Sequence, residues 1–450
     1  MKIAKFFSLA IVAIGAAGLL FPSPARSAIS LYDQNGVKAD LTLEAGAGLF
    51  FNNDVNFGAG RFSDGKTSVQ WQEGYFKPIL DASYTTPRAG TFYGGLSYVA
   101  TSTIGDGDGG DFSNDRPEAI ESELGYIGWK SGQVFSSLGE DVVDISFGEQ
   151  EFAIGDGFLI MDGAFDGADG AYWLAPHRSF DKTAILRLNT KPVRADLFYL
   201  KADGDYDDTE LYGINFEYIH ELGTAGVSLM DVTDSDGGGF YENRKGMKVF
   251  SVRAQGTPLA NINQEELFLA FEYAQQSQGN RLDVDAKGWY GEAGYTFSQC
   301  AWTPTLSYRY AFFSGDRNPN DDQYEAFDPM FYGFSRGWGT HFMGEITGEY
   351  FLFNSNEKVN MVHLNLLPTD KLSIGALYYE FRLDQGNIFG TEVSGKKFAD
   401  EVNLYADYSI NDHLYVSGVF AWATPRTAAK EYTGGNDDSI LFEVYAVMTF

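Results

Sequence analysis

The chain has 450 residues, 62 of them acidic and 32 basic, with 52 glycines, 37 phenylalanines, 27 tyrosines and a single cysteine. Setting aside Lys2, Lys5 and Arg26 of the leader leaves 29 bases against 62 acids, a net charge of −33 that argues against nucleic acid as a partner. One cysteine, Cys300, excludes an intrachain disulfide, so a Gly-, Tyr- and Phe-rich chain of this length reads as a large β structure held by strand pairing.

Met1 to Ser27 reads as a secretory signal. Lys2 and Lys5 supply the positive start, Phe6 to Phe21 the apolar run, and Ser23-Pro24-Ala25-Arg26-Ser27-Ala28 the small-residue cleavage region. Beyond it no apolar stretch approaches the roughly 18 residues that a membrane helix needs. Residues 28–450 then open on a strand pattern. Val37, Ala39, Leu41, Leu43, Ala45, Ala47 and Leu49 alternate with Lys38, Asp40, Thr42, Glu44, Gly46, Gly48 and Phe50. A period of two with charge on one face places that face in water and the other against something apolar. In a membrane barrel the wet face is the lumen.

Short and long connections then alternate down the chain. Short ones lie near residues 86–89, 190–192, 221–224, 256–264, 298–301, 368–370 and 411–412; longer polar ones lie near 51–68, 101–116, 152–179, 231–244, 314–338, 383–399 and 424–438. This is the pattern of periplasmic turns and extracellular loops. An echo between Asp370-Lys371-Leu372-Ser373-Ile374-Gly375 and Asp412-His413-Leu414-Tyr415-Val416-Ser417 supports a repeated hairpin unit. Acids concentrate in the long connections. The run Asp106-Gly107-Asp108-Gly109-Gly110-Asp111 offers Asp106, Asp108 and Asp111 as weak candidate Ca²⁺ ligands, but it lacks EF-hand spacing and reads first as a solvated exposed loop. No other cofactor is expected.

Counting every candidate gives 19 strands, an odd number, whereas single-chain bacterial barrels have even numbers. Gly339 to Phe353 precedes the very short Asn354-Ser355-Asn356 and breaks the long-short rhythm. Assigning it to one large extracellular loop from Ser314 to Glu357 predicts an all-β, antiparallel up-and-down transmembrane barrel of 18 strands, with 16 the neighbouring count. Alternation places Lys77, Arg187, Arg194, Arg253, Arg309 and Arg382 in the lumen as the candidate substrate path. On the same face it places Asp40, Glu44, Asp81, Glu121, Glu123, Asp144, Asp196 and Glu443. These bases either attract anions or pair with the acids and hold strand register.

The chain closes on Leu441 to Phe450. Phe442, Val444, Ala446, Met448 and Phe450 are apolar at every second position, as a lipid-facing closing strand with a terminal aromatic requires. Catalytic patterns do not emerge. His177, His220, His341, His363 and His413 lie in no nucleophile elbow and no HExxH pattern, and His363 beside Asn365 is the best of them for a site. The chain is read as a non-enzyme.

Three stretches resemble the alginate-export family of outer-membrane proteins. They are Phe147-Gly148-Glu149-Gln150-Glu151-Phe152-Ala153-Ile154-Gly155-Asp156-Gly157, Tyr310 to Asp316 followed by Phe327-Asp328-Pro329-Met330-Phe331, and Asp400 to Leu414, within a similarity covering residues 140–450. The resemblance implies an 18-stranded bacterial outer-membrane barrel whose basic lumen conducts an anionic polysaccharide outwards. Many acids are expected inside this lumen, so a general or solute-specific porin not linked to alginate stands beside it. Behind both come a lipid-modifying enzyme and a sheath for a partner protein. The partners implied are outer-membrane lipid and lipopolysaccharide, the barrel assembly machinery through Phe450, and periplasmic export proteins.

Overall fold

The computed structural model describes residues 28–113, 116–164, 169–203, 208–236, 244–260, 266–279, 283–334, 336, 339 and 342–450, so the expected signal lies outside the described residues. Eighteen strands form the wall: Val37–Asn53, Ser68–Thr86, Gly90–Gly105, Glu118–Lys130, Val143–Gln150, Phe180–Thr190, Val193–Lys201, Glu210–His220, Gly223–Asp234, Lys248–Gly256, Leu267–Gln278, Asp283–Thr296, Thr305–Phe313, Glu357–Thr369, Leu372–Leu383, Lys397–Asn411, Leu414–Pro425 and Ser439–Thr449. Each pairs antiparallel with the next, and the last closes on the first with Glu44 opposite Thr449 and Asn53 opposite Ile440. Closure leaves no open edge, which lipid demands because it cannot satisfy a free N–H or C=O.

The face assignments at both ends of the chain hold. Phe442, Val444, Met448 and Phe450 are 36–44% exposed on the outer surface, whereas Leu441 and Glu443 are fully buried inside. The terminal residue is stitched in by paired backbone bonds with Leu43, at 2.8 and 2.9 Å. Ahead of the first wall strand, Ile29–Gln34 folds back on Val37–Leu41 through Asn35-Gly36, both at positive φ, as a two-residue hairpin requires. A side chain at Gly36 would lie 2.4 Å from the Thr85 carbonyl oxygen, so glycine is required at that position.

The parity argument also holds: residues 342–353 contribute no wall strand, because Gly344–Leu352 forms a helix of wide, π-type pitch. Its location refines the expected extracellular loop from Ser314 to Glu357, because the helix is packed inside the barrel. The helix lies against the three wall strands from Lys397 to Thr449, and Phe351 stacks on Phe57 at 5.2 Å. Residues 151–164 and 169–179 fold inward as well and meet the other loop. Ile160 bridges Phe331, the Met161 amide donates to the Phe331 carbonyl at 2.8 Å, and the Phe331 amide donates to Leu159 at 2.9 Å. Phe158 sits at this seam within 6.5 Å of the rings of Tyr290, Phe313, Phe327, Tyr332 and Phe334. The buried core of the protein is therefore inside the barrel, in the half next to the long connections.

Candidate functional site

The lumen between these loops and the short-turn end is lined by charge in cross-strand register. Asp144, Arg187 and Asp196 are successive partners on three adjacent strands, so their side chains stack up one wall. Arg187 lies 3.9 Å from Asp144 and 4.0 Å from Asp196, and Arg194 donates to Asp196 at 3.0 Å and lies 3.9 Å from Glu217. Arg253 bonds Glu217 at 2.6 Å and Ser228 at 2.9 Å, and also reaches Asn215. Gly226 stands directly opposite Arg253, and an added β-carbon there would meet the guanidinium at 2.7 Å; glycine gives the fork room to lie flat on the wall. Arg309 pairs with Glu292 at 2.8 Å and covers the Phe334 ring at 4.4 Å.

The structure therefore links Arg187, Arg194 and Arg253 through the shared carboxylates Asp196 and Glu217, and answers Arg309 separately with Glu292. Lys77 is also lumenal but separate. Its ammonium donates to Glu123 at 2.7 Å and to the Pro176 carbonyl at 2.7 Å, which clamps the inward loop to the wall. Solvent reaches few of these side chains: Arg187 and Arg194 are 25% and 30% exposed, whereas Arg253, Arg309 and Lys77 are at most 8% exposed. Among the predicted path residues on the lumenal face, Arg187 and Arg194 are the most exposed to solvent.

Arg382 is misplaced by the sequence reading. Leu377, Tyr379 and Phe381 are the buried, lumenal residues of its strand, so Tyr378, Glu380 and Arg382 face outward. The cause is that the inward loops make the upper lumen apolar, while the outer rim meets polar headgroups; there the rule equating charge with lumen inverts. The predicted acids fare better. Asp40, Glu44, Asp81, Glu123, Asp144, Asp196 and Glu443 share the lumenal face, and Glu121 pairs opposite lumenal Val99.

Several residues that position the inward loops had not been singled out. Glu73 accepts the Trp173 and Leu174 amides at 2.9 and 3.0 Å, and Glu401 accepts Ile346 and Thr347 at 3.1 and 2.8 Å, capping the inner helix. Both lie on lumenal faces that alternation alone could have assigned. Arg336 pairs with Asp156 at 2.8 Å, and fully buried Arg244 anchors Asp328 at 2.7 Å; loop sequence carries no periodic signal for these.

The acidic loop at residues 106–111 is not uniformly solvated. Asp108 is fully buried, accepting from the Gly110 amide at 2.7 Å and the Ser113 amide at 2.6 Å, and burial pushes its carboxyl above the usual range. Asp106 pairs with Lys66 at 2.9 Å, whose hydrogen bond holds it below that range, and Asp111 accepts from Ser63 at 2.7 Å. The three candidate calcium ligands thus turn to separate partners. Among the described residues no three or more His, Cys, Asp or Glu side chains are grouped to hold a metal. His363 lies 3.0 Å from the Tyr405 hydroxyl, to which Asn365 also donates at 2.7 Å.

Comparison with known families adds the decisive match: the model described as "Alginate export" covers residues 132–417. The chain belongs to the alginate export family. Comparison with curated protein sequences gives no match. Among solved structures, the family member's barrel resembles the outer membrane protein OprD from Pseudomonas aeruginosa at 14% identity and TM-score 0.58, covering 96% of this chain and 97% of that one. It resembles Acinetobacter baumannii OccAB2 at 12% identity and TM-score 0.56, covering 91% and 98%, and Pseudomonas aeruginosa OccK5 (OpdH) at 12% and 0.55 over the same shares. At such identities these likenesses speak for the fold. Family and fold together make this an outer-membrane barrel channel of the bacterial cell envelope.

Proposed function

We propose that this alginate export family member works as a narrow porin for small solutes, weakly selective by charge. The observation that carries the reading is the seam between the two inward loops, where Ile160 meets Phe331 and Phe158 is packed among five rings. A barrel of 18 strands is wide enough for a water-filled channel, and loops packed across it restrict passage to small molecules. Charge pairing supports weak selectivity: Arg187, Arg194, Arg253 and Arg309 each have a carboxylate within 4.0 Å, so a passing anion meets bases whose field is already partly cancelled.

Export of an anionic polysaccharide is the second reading, favoured by the family match over residues 132–417. For that substrate Arg187 and Arg194 would be the first contacts, since they are the partly exposed bases of the vestibule and can hold a carboxylate in a fork. Liposome swelling separates the two. Proteoliposomes in isotonic monosaccharide or amino acid should swell rapidly, and those in tetra- or hexa-uronate should not. Swelling as fast in the uronate oligomers would overturn the small-solute reading in favour of the polysaccharide conduit.

A further inference from the structure

A polar cavity of about 400 Å³ opens on the outside of the barrel, at its long-loop end. The strands Leu267–Gln278, Asp283–Thr296 and Thr305–Phe313 form its floor, and the loops after Phe313 and Leu383 form its sides. Its orientation follows from alternation. Val284, Ala286 and Tyr290 are buried in the lumen, so Asp285, Lys287 and Trp289 point away from it, towards the surrounding membrane.

The height of the cavity is marked by the side chains beneath it. Leu269 and Phe271 are 43% and 41% exposed on the outer face, and above them come Tyr273 and a Trp289–Tyr310 pair with ring centroids 5.3 Å apart. Exposed aliphatic residues followed by Tyr and Trp are the signature of the boundary between acyl chains and headgroups. The cavity lies one step beyond that girdle. The same transition runs along neighbouring strands, from Tyr378 to Glu380 and Arg382 and from Trp422 to Arg426.

The lining mixes two bases, Lys287 and Arg317, with three acids, Asp285, Glu325 and Asp384, and the amide of Gln275, so it offers partners to both phosphate and hydroxyl groups. Lys287 is exposed and takes part in no ion pair among the described residues, and Arg317, 72% exposed, is held at the mouth by Glu325 at 2.6 Å. Lys358 lies beside them, 2.8 Å from Asp384 and 5.4 Å from the centroid of the lining Phe312 ring. Ammonium and guanidinium groups suit phosphate oxygens, and carboxylates and amides suit hydroxyls. Gln275 is already oriented for that task, donating to Asp285 at 2.6 Å and accepting from Tyr273 at 2.7 Å. We infer that this cavity binds the phosphorylated glucosamine headgroup of the outer-leaflet glycolipid, lipopolysaccharide, with its acyl chains lying down the aromatic girdle. The inference rests on the outer-membrane location and is independent of what passes through the lumen.

The test uses full-length protein in nanodiscs of phospholipid doped with bisphosphorylated lipid A, read by native mass spectrometry. Wild type should retain one glycolipid through detergent exchange. The double variant Lys287→Glu, Arg317→Glu should retain at least tenfold less. Lys182→Glu, an equal change in charge per residue on an outward base remote in sequence from the cavity, should retain it fully. Lipid A stripped of both phosphates should be held at least tenfold more weakly by wild type, a comparison that needs no variant to fold. Millimolar inorganic phosphate should not displace the lipid. Equal retention by wild type and the double variant, equal retention of phosphorylated and stripped lipid, or ready displacement by phosphate would each overturn the assignment.

Discussion

Replacing Phe158 with alanine should unseat the inward loops. Phe158 is 2% exposed and its ring contacts belong to the partner loop and to the wall: Tyr290 and Phe313 on strands, Phe327, Tyr332 and Phe334 on the partner loop. Truncating a buried phenylalanine to alanine costs about 3–5 kcal/mol. The wall is held by its own continuous ladder of backbone bonds, so this loss falls on the local equilibrium between seated and displaced loops rather than on the barrel. With tenfold in population for every ~1.4 kcal/mol, the displaced state should become about a hundred- to several-thousand-fold more populated. Single-channel recording in planar bilayers should show the variant visiting a larger conductance far more often than wild type. Amide exchange over residues 152–163 and 327–334 should speed up, with wall strands unchanged. A variant with wild-type conductance and wild-type protection in both segments would refute the claim that this seam closes the lumen.

Four other outcomes follow from the same structure. Lys77→Ala leaves Glu123 buried without its 2.7 Å partner, which should cost about 3–5 kcal/mol and show as a lowered melting temperature of the folded barrel. Burial pushes the Asp162 carboxyl up to about 7, so the seated loop favours its protonated form. That contribution is complete below about pH 4 and is lost as pH rises through 7, so the large-conductance state should be visited more at pH 8 than at pH 5, and Asp162→Asn should abolish the difference. Deleting Phe450, whose backbone pairs with Leu43 and whose ring stacks on His413 at 4.8 Å, should reduce the heat-modifiable protein in outer-membrane fractions; unchanged levels would remove its proposed role in assembly. A peptide tag inserted after Gly390, beside 54%-exposed Phe389, should be labelled on intact cells, and labelling only after membrane rupture would invert the topology.

Where the chain meets lipid, its sequence was transparent. The closing strand from Phe442 to Phe450, the first strand from Val37 and the tight turns at Asp370 and Asp412 obey period-two alternation because one face sees hydrocarbon and the other water. The removal of Gly339–Phe353 from the wall was legible only through parity and the very short Asn354–Asn356 connection, since its own alternation of Phe342, Ile346 and Tyr350 imitates a strand. The inward loops were opaque for a physical reason. Phe158, Trp173 and Phe331 lie in connections whose contacts are made across the lumen, at sequence separations that no local pattern records. Their presence also misled the reading of Arg382, because once the upper lumen is apolar both faces of a strand carry large hydrophobic residues and the charged one is outside. In the lower lumen, where the wall is wet, Arg187, Arg194, Asp144 and Asp196 were placed correctly on the inner face, but their mutual pairing depends on register, which the sequence did not specify.

The central claim is a narrow channel whose lumenal bases are balanced by acids, and the reversal potential across a tenfold salt gradient tests it most directly. Wild type should give a permeability ratio near one between small anions and cations. Arg187→Ala with Arg194→Ala should shift the potential towards cation selectivity, because Asp144 and Asp196 then lose their guanidinium partners at 3.0–4.0 Å. A strongly anion-selective wild type, or a double variant with an unchanged potential, would contradict it.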